Sequence, residues 1–402
     1  MGSAEQIKQY HAVVTDGLWR KSLSVIRSIG KSNYNVSVMG DSIFTTGFWS
    51  RFTKKRIISP TAASNKDIFG KNLINLLKSY TDEKPVLFPM EDASLMWVAE
   101  NIEIIKEFSH ILLPPLKSLI IAQNKSETIK IAEKLNLPVP QTYDPLSASN
   151  LMTLLNDFKK NYPNKQFIIK PKTASGSSGI IYDVFDNSID WVNHWNVYGP
   201  LLIQERLAPE GKGIGVSLLM DQFGKCSAYF VHERLQQYPN TGGPSTDRHS
   251  VYNPELVDMS IKLLESLSWK GVAMVEWKMD VYEEIPKLME INPRFWGSLE
   301  LAVRSGVNFP ILYAKAARGE EIQEKPYYPE GVRCRWLIPG EILRYATQSS
   351  SERESLKEFL RGFPEMAEEW DKNDLRGTIA SIVCPATLVI NPRYWKYLRR
   401  RG

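Results

Sequence analysis

Two short runs constrain this chain more than any others. Val272-Ala-Met-Val-Glu-Trp-Lys-Met279 alternates as a strand does, with Met274, Glu276 and Lys278 on one face. Lys287-Leu-Met-Glu-Ile-Asn-Pro-Arg294 follows after the turn-length link Val281–Pro286. Its period of two puts Leu288, Glu290 and Asn292 together, with Met289 and Ile291 opposite. The pair is expected to close as an antiparallel hairpin in which Glu276 and Glu290, 14 residues apart, meet. Two carboxylates and an amide oxygen beside Met274 and Leu288 repel one another unless a cation neutralises them. An all-oxygen set of this kind suits Mg²⁺, which takes one or two carboxylates together with substrate phosphates. A solvated polar face is the competing reading, and the apolar neighbours argue against it.

A second segment is Phe167-Ile-Ile-Lys-Pro-Lys-Thr-Ala-Ser-Gly-Ser-Ser-Gly179. An apolar strand ends in Lys170, and a small-residue loop, Ser175, Gly176, Ser177, Ser178 and Gly179, precedes an extended Ile180–Val184. Such a loop bares successive backbone N–H groups to an anion, and the lysine adds a point charge. A plain hairpin turn explains the same residues, since GxxxxGK[ST] is missing. Arg294 lies just past the acidic strand, where its planar fork suits a carboxylate or a phosphoryl group. Phe295–Ser298 then opens a helix. Leu201-Leu-Ile-Gln-Glu-Arg-Leu207 runs into a Pro/Gly turn. A free backbone edge there could read an adenine, with Glu205 or Glu210 accepting from amino or ribose groups.

Around these segments the first third alternates strands and helices: Ala12–Val14, Leu18–Ile29, Val36–Met39, Lys66–Tyr80 and Val86–Pro89. That order predicts a three-layer α/β domain with a parallel sheet over residues 1–123. Asn124 opens a helix, with Glu127 in position to complete a capping box. From Phe167 the chain turns to strands, interrupted by helices at Asn253–Leu267 and Ser298–Arg304, which predicts an α+β unit. A helix over Arg353–Arg361 and a basic terminus follow.

Composition removes other classes. Of 402 residues 43% are hydrophobic and 24% charged, values of a globular chain, not a disordered one. The net charge of +5 is small, and Arg393–Arg401 supplies five cations and no acid, so nucleic acid is not indicated for the body. Three scattered cysteines form no CxxC, and five histidines form no HExxH, which argues against a zinc hydrolase. No apolar run reaches the ~18 residues of a membrane span. With Glu5 and Lys8 near the start and no apolar run there, a cytoplasmic protein is expected.

The order of these pieces resembles the ATP-grasp superfamily. They are Asn124-Lys125 opening a helix, Lys170 before the small-residue loop, Gln204-Glu205, Glu276 and Met289-Glu-Ile-Asn-Pro-Arg294. Val275-Glu-Trp-Lys278, Leu288–Ser298 and Tyr238-Pro-Asn-Thr-Gly-Gly-Pro-Ser245 are similar to its carboxylate–amine ligase branch, which includes amino-acid ligases. The resemblance covers roughly residues 110–325 and implies an ATP-grasp fold in four parts. These are a pre-ATP-grasp domain (1–123), a small subdomain (124–205), a large subdomain with the metal site (206–330) and a C-terminal extension (331–402). It implies ATP and Mg²⁺, or Mn²⁺, as cofactors. Lys125 and Lys170 would hold the nucleotide, the Ser175–Gly179 loop would fold over its triphosphate, and Gln204, Glu205, Arg206, Leu207 and Glu210 would line the adenine side. Glu276, Glu290 and Asn292 would carry the metal, and Arg294 and Lys170 would act on the transferring phosphoryl group. Arg234, Gly242, Gly243, Ser245 and Ser298 would face the substrate. The implied reaction activates a carboxylate as an acyl phosphate and joins it to an amine. A carboxylase passing through carboxyphosphate and a non-catalytic ATP-binding regulator are the alternatives. Small-molecule acid and amine are the expected partners, and a homodimer is in keeping with related ligases.

Overall fold

A computed structural model describes residues 9–173, 179–186, 188–239, 242–322, 327–349 and 353–385. Four strands, β1 (Tyr10–Val14), β2 (Tyr34–Gly40), β3 (Thr53–Ile58) and β4 (Val86–Phe88), form a parallel sheet in the order β3-β2-β1-β4. Alternation along β1 explains its two covered faces. Ala12 and Val14 pack with Val25, Ile26 and Ile29 of the helix Arg20–Lys31. Val13 packs the other way, with Phe69, Leu73 and Leu76 of the helix Lys66–Lys78. The expected three layers are therefore present. The strand order reverses between β1 and β4, which leaves a crevice at their carboxyl ends. β3 was not foreseen, because Thr-Lys-Lys-Arg-Ile-Ile is an exposed edge whose charges mask the strand period.

A smaller antiparallel sheet, in the order β5-β7-β6, follows: β5 (Thr142–Tyr143), β6 (Phe167–Pro171) and β7 (Leu201–Glu205). Leu151, Leu155 and Phe158 of the helix Ala148–Asn161 cover it. The extended run expected at Ile180–Val184 shrinks to a single bridge. Ile181 exchanges both backbone hydrogen bonds with Ile169 at 2.9 Å, and a turn begun by Asp186, which accepts from Ser188 N at 2.8 Å, takes the chain away.

The large sheet is antiparallel, in the order β12-β11-β8-β9-β10-β13. Its strands are β8 (Gly213–Met220), β9 (Cys226–Gln237), β10 (Ser245–Val251), β11 (Gly271–Asp280), β12 (Ile285–Asn292) and β13 (Arg333–Arg335). Leu219, Phe230, Val272 and Met274 face the N-terminal core, while Leu218, Val231, Ala273 and Val275 face the helix Pro254–Ser266. β13 lies beyond residue 330, so the C-terminal extension is woven into this sheet. The helix expected at Arg353–Arg361 is only one turn, Leu356–Phe359.

The extension is also bolted to the N-terminal domain. The fully buried Asp374 caps the helix Leu375–Val383 through Gly377 N. It also accepts from Arg27 Nε at 3.0 Å, Ser50 Oγ at 2.8 Å and Arg51 N at 2.8 Å. Buried Glu368 accepts from Arg20 Nη1 at 2.8 Å and pairs with Arg248 of β10. No helix among the described residues is long and apolar enough to cross a membrane.

Candidate active site

The hairpin of β11 and β12 forms in the expected register, with Glu276 opposite Glu290 and Met274 opposite Asn292. The amide of Asn292 donates to Glu276 Oε1 at 3.0 Å and Glu290 Oε1 at 3.4 Å. One expectation fails here. The register slips after Glu276, so Trp277 pairs with Leu288 and Met289 is the extra residue of a β-bulge. Leu288 consequently turns away from Glu290 and packs with Trp277 and Ile291.

Cations converge on the two acids from separate elements. Lys125 Nζ lies 3.3 Å from Glu290 Oε2, and Arg234 of β9 pairs with Glu276. Lys125 is the first residue of the helix Lys125–Lys134, and its backbone N–H donates to Lys172 O at 2.9 Å, which pins the helix start to the end of β6. Asn124 caps that helix through Ser126 N and Glu127 N. The reciprocal half of the box is not needed, because Asn124 N already donates to Ile121 O at 3.0 Å. Lys170 is buried, and its Nζ donates to Gln204 Oε1 at 2.9 Å.

The electrostatics match this crowding. Burial raises Glu276, and the Glu290 charge adds to it against the pull of Arg234. Burial would raise Glu290 too, but Lys125 and Lys170 outweigh it and hold that carboxyl low. Burial, reinforced by Lys125, lowers the Lys170 ammonium to about 8.

Arg294 bridges to the N-terminal domain. Its Nε donates to Asp92 Oδ1 at 2.9 Å, and Asp92 follows β4 at the crevice. Burial works against the guanidinium charge, but Asp92 and Glu91 outweigh it and keep it firmly protonated. Glu91 also pairs with Lys21 at 2.6 Å. A cavity of about 260 Å³ opens between these parts, lined by Asp92, Met96, Gln123, Lys125, Thr173 and Asn292 among others.

Among the residues expected to line an adenine, Gln204 is buried and spans Lys170 and Thr142 Oγ1, the latter at 2.9 Å. The Glu205 carboxylate is committed to Lys287 Nζ at 2.8 Å and Lys165 at 3.4 Å, so it is not a free acceptor. Arg206 holds Gln166 Oε1 at 3.2 Å, buried Leu207 accepts from Lys278 at 3.5 Å through its carbonyl, and Glu210 is exposed. Ser175, Gly176, Ser177 and Ser178 lie outside the described residues, while Gly179 O meets His194 Nε2 at 3.0 Å.

The substrate candidates divide. Ser298 Oγ lies 3.2 Å from His232 Nε2, and the ring of His232 lies flat over Gly215, where a Cβ would come within 2.3 Å of it. Burial, with Arg234 and Arg248 nearby, keeps that imidazole well below its usual range. The helix after Ser298 has only six residues, and Ser298 gives it no side-chain cap. Gly242 and Gly243 form a tight turn on Pro239 O, and Ser245 Oγ turns to Asp247 O at 3.2 Å inside its own strand pair. Asp92 and His232 went unnoticed from sequence. The position of Asp92 just past a strand of a parallel sheet was the available signal.

A family profile described as ATP-grasp in the biosynthetic pathway with Ter operon matches residues 225–338. A biotin carboxylase from Campylobacter jejuni, solved as a β-γ-ATP complex, superposes with a TM-score of 0.61 at 14% identity, over 78% of this chain and 72% of that one. The chain has the ATP-grasp fold. Two further ATP-grasp neighbours differ in what they catalyse. The N5-carboxyaminoimidazole synthetase of Staphylococcus aureus gives a TM-score of 0.59 at 12% identity, over 80% of this chain and 81% of its own. The L-amino acid ligase of Bacillus licheniformis gives 0.57 at 12%, over 77% and 74%. No curated protein sequence matches the chain.

Proposed function

We propose that this ATP-grasp protein is an ATP-dependent ligase that activates a substrate carboxylate as an acyl phosphate and joins it to an amine. The observation that carries the reading is the facing pair Glu276 and Glu290, which shares one Asn292 amide and is ringed by Lys125, Lys170, Arg234 and Arg294. Among the described residues no group of three His, Cys, Asp or Glu is arranged for a metal. Two carboxylates, joined by the Asn292 oxygen once that amide turns over, fit a divalent cation that completes its shell with phosphate oxygens, which is the habit of Mg²⁺ or Mn²⁺. Bound there, such a cation neutralises the terminal phosphates.

The chain's own groups do the rest. Lys125 and Lys170 hold phosphate oxygens, and Gln204 orients Lys170. A carboxylate repels the γ-phosphate, and Lys170 with Arg294 offsets that repulsion as charge develops. The acyl phosphate that results is electrophilic, so the amine nitrogen attacks its carbonyl carbon and inorganic phosphate leaves. Arg234, Ser298 and His232 stand on the same face as the acids and are the candidates for orienting the substrate.

The likeness to two carboxylating enzymes favours one second reading, carboxylation through carboxyphosphate. An ADP-release screen with Mg²⁺-ATP separates them, using amino acids and small carboxylates, alone and in pairs, with and without bicarbonate. Turnover that needs both an acid and an amine supports the ligase. Bicarbonate-dependent turnover replaces it with the carboxylase, and ATP binding without ADP release across the panel removes both.

A further inference from the structure

The N-terminal domain carries a surface that the reaction does not use. From Ser42 to Asn65 the sequence holds four cations and no acid. β3 is the edge of its sheet, and Lys54, Lys55 and Arg56 on it are exposed. Lys55 reaches Ser79 Oγ at 3.3 Å and Arg56 lies over the Trp49 ring at 5.6 Å, while none of the three pairs with an acid among the described residues. Beside them stand Ile43, Phe44, Trp49 and Ile58, exposed by 59%, 47%, 44% and 60%.

Arg56, Ile58, Ile43, Phe48 and Trp49 line a groove of about 310 Å³. The helix Leu375–Val383 packs on the neighbouring turn Thr46–Trp49 and leaves Leu375, Ile379, Ile382 and Val383 exposed at helical spacing. Large apolar groups left bare in one place need a partner. Aromatic and aliphatic side chains mixed with unpaired cations are the composition of an interfacial membrane contact. Nucleic acid suits this face less, because most of its apolar groups, Ile43, Ile58, Leu375, Ile379 and Ile382, are aliphatic and offer bases nothing to stack on, and Arg56 already covers the Trp49 ring at 5.6 Å.

We propose that this face docks on an anionic lipid bilayer. Ile43, Phe44, Trp49 and Ile58 enter the boundary between headgroups and acyl chains. Lys54 and Arg56 pair with lipid phosphates and carboxylates, while Lys55 turns to Ser79 on the other face of β3.

The test is co-sedimentation of the full chain with phosphatidylserine-containing vesicles and with pure phosphatidylcholine vesicles. Binding is expected to the first, to fall on raising salt, and to be weak to the second. At about 1 kcal/mol per cation, each removed charge lowers partitioning about fivefold, so the combined Lys54→Ala and Arg56→Ala variant binds about 25-fold less, and Lys55→Ala alone changes binding less than either. A Trp49→Ala, Ile58→Ser variant also weakens binding, with an unchanged circular dichroism spectrum. A variant lacking residues 386–402 keeps binding that still depends on Lys54 and Arg56. Vesicle binding that ignores these substitutions, or that vanishes with the tail alone, overturns the proposal. So does an absence of vesicle binding together with a dimer that the same substitutions dissolve, which would make the face an interface between two copies.

Discussion

Glu290→Gln tests the site most directly. The substitution keeps the shape of the side chain and removes one negative charge from between Lys125, 3.3 Å away, and Lys170. The Asn292 amide can still donate to the new carbonyl oxygen, so the local backbone has no reason to move. The lost charge leaves the Lys125 ammonium, which is largely buried, without its carboxylate. Removing one partner of such a pair costs about 1–3 kcal/mol of stability, which a chain of this size survives. Catalysis suffers more. On the proposed reading a divalent cation would lose one of two carboxylates, and loss of an electrostatic group aimed at developing charge typically costs a factor of about 10²–10³, roughly 3–4 kcal/mol. The assay is coupled ADP release, with Mg²⁺ titrated to saturation and folding followed by circular dichroism. A Glu290→Gln protein that is folded and turns over within tenfold of the parent refutes the assignment of Glu290 to the metal.

Other outcomes follow from the same structure. Asp374→Ala leaves Arg27 buried beside a lone, more distant Asp371 at 3.9 Å and removes a helix cap, so the denaturation midpoint falls by the equivalent of about 3 kcal/mol in urea titration. Gly215→Ala pushes a Cβ into the His232 ring, so ADP release falls at least tenfold, while stability drops by only about 1–3 kcal/mol, measured by thermal melting. Glu369 is driven up to about 7 by burial and by the neighbouring Glu368. Its folded value lies above the unfolded one, so the folded state binds the extra proton and stability drains away as pH rises from about 4.5 to about 7. Glu369→Gln therefore gains up to about 3 kcal/mol over the parent at pH 8 and nothing at pH 4, read as paired melting curves at the two pH values.

How much of this was legible depends on distance along the chain. The pairing of Glu276 with Glu290 was readable, because a period of two and a short link leave a hairpin only one register to choose. The bulge at Met289 was not, since a slip of one residue leaves no mark in an alternating pattern. The parallel sheet showed through Ala12–Val14 and Val36–Met39, whose two buried faces make continuous apolar runs, whereas β3 hid behind its lysines. Arg294 was visible as a cation, but its partner Asp92 lies 202 residues away. The same holds for Glu368 and Asp374, whose partners Arg20 and Arg27 are 348 and 347 residues distant. Local spacing carries no information on such pairs. Ile180–Val184 failed in the opposite sense: its apolar residues suit a strand, but Asp186 starts a turn before a ladder can form.

The anchoring of Glu368 and Asp374 has a mechanical consequence. The final described stretch of the chain returns to its beginning and grips both the parallel sheet and the six-stranded one, so these two bodies behave as a single frame. Neither can swing from the other without stripping charged groups that have no water to fall back on. On the proposed function, a motion that admits a nucleotide and releases products would fall to the remaining small unit of β5, β6 and β7. Its grip on the frame runs through a few lysines, Lys125 and Lys287 among them, and these are the contacts that must break first.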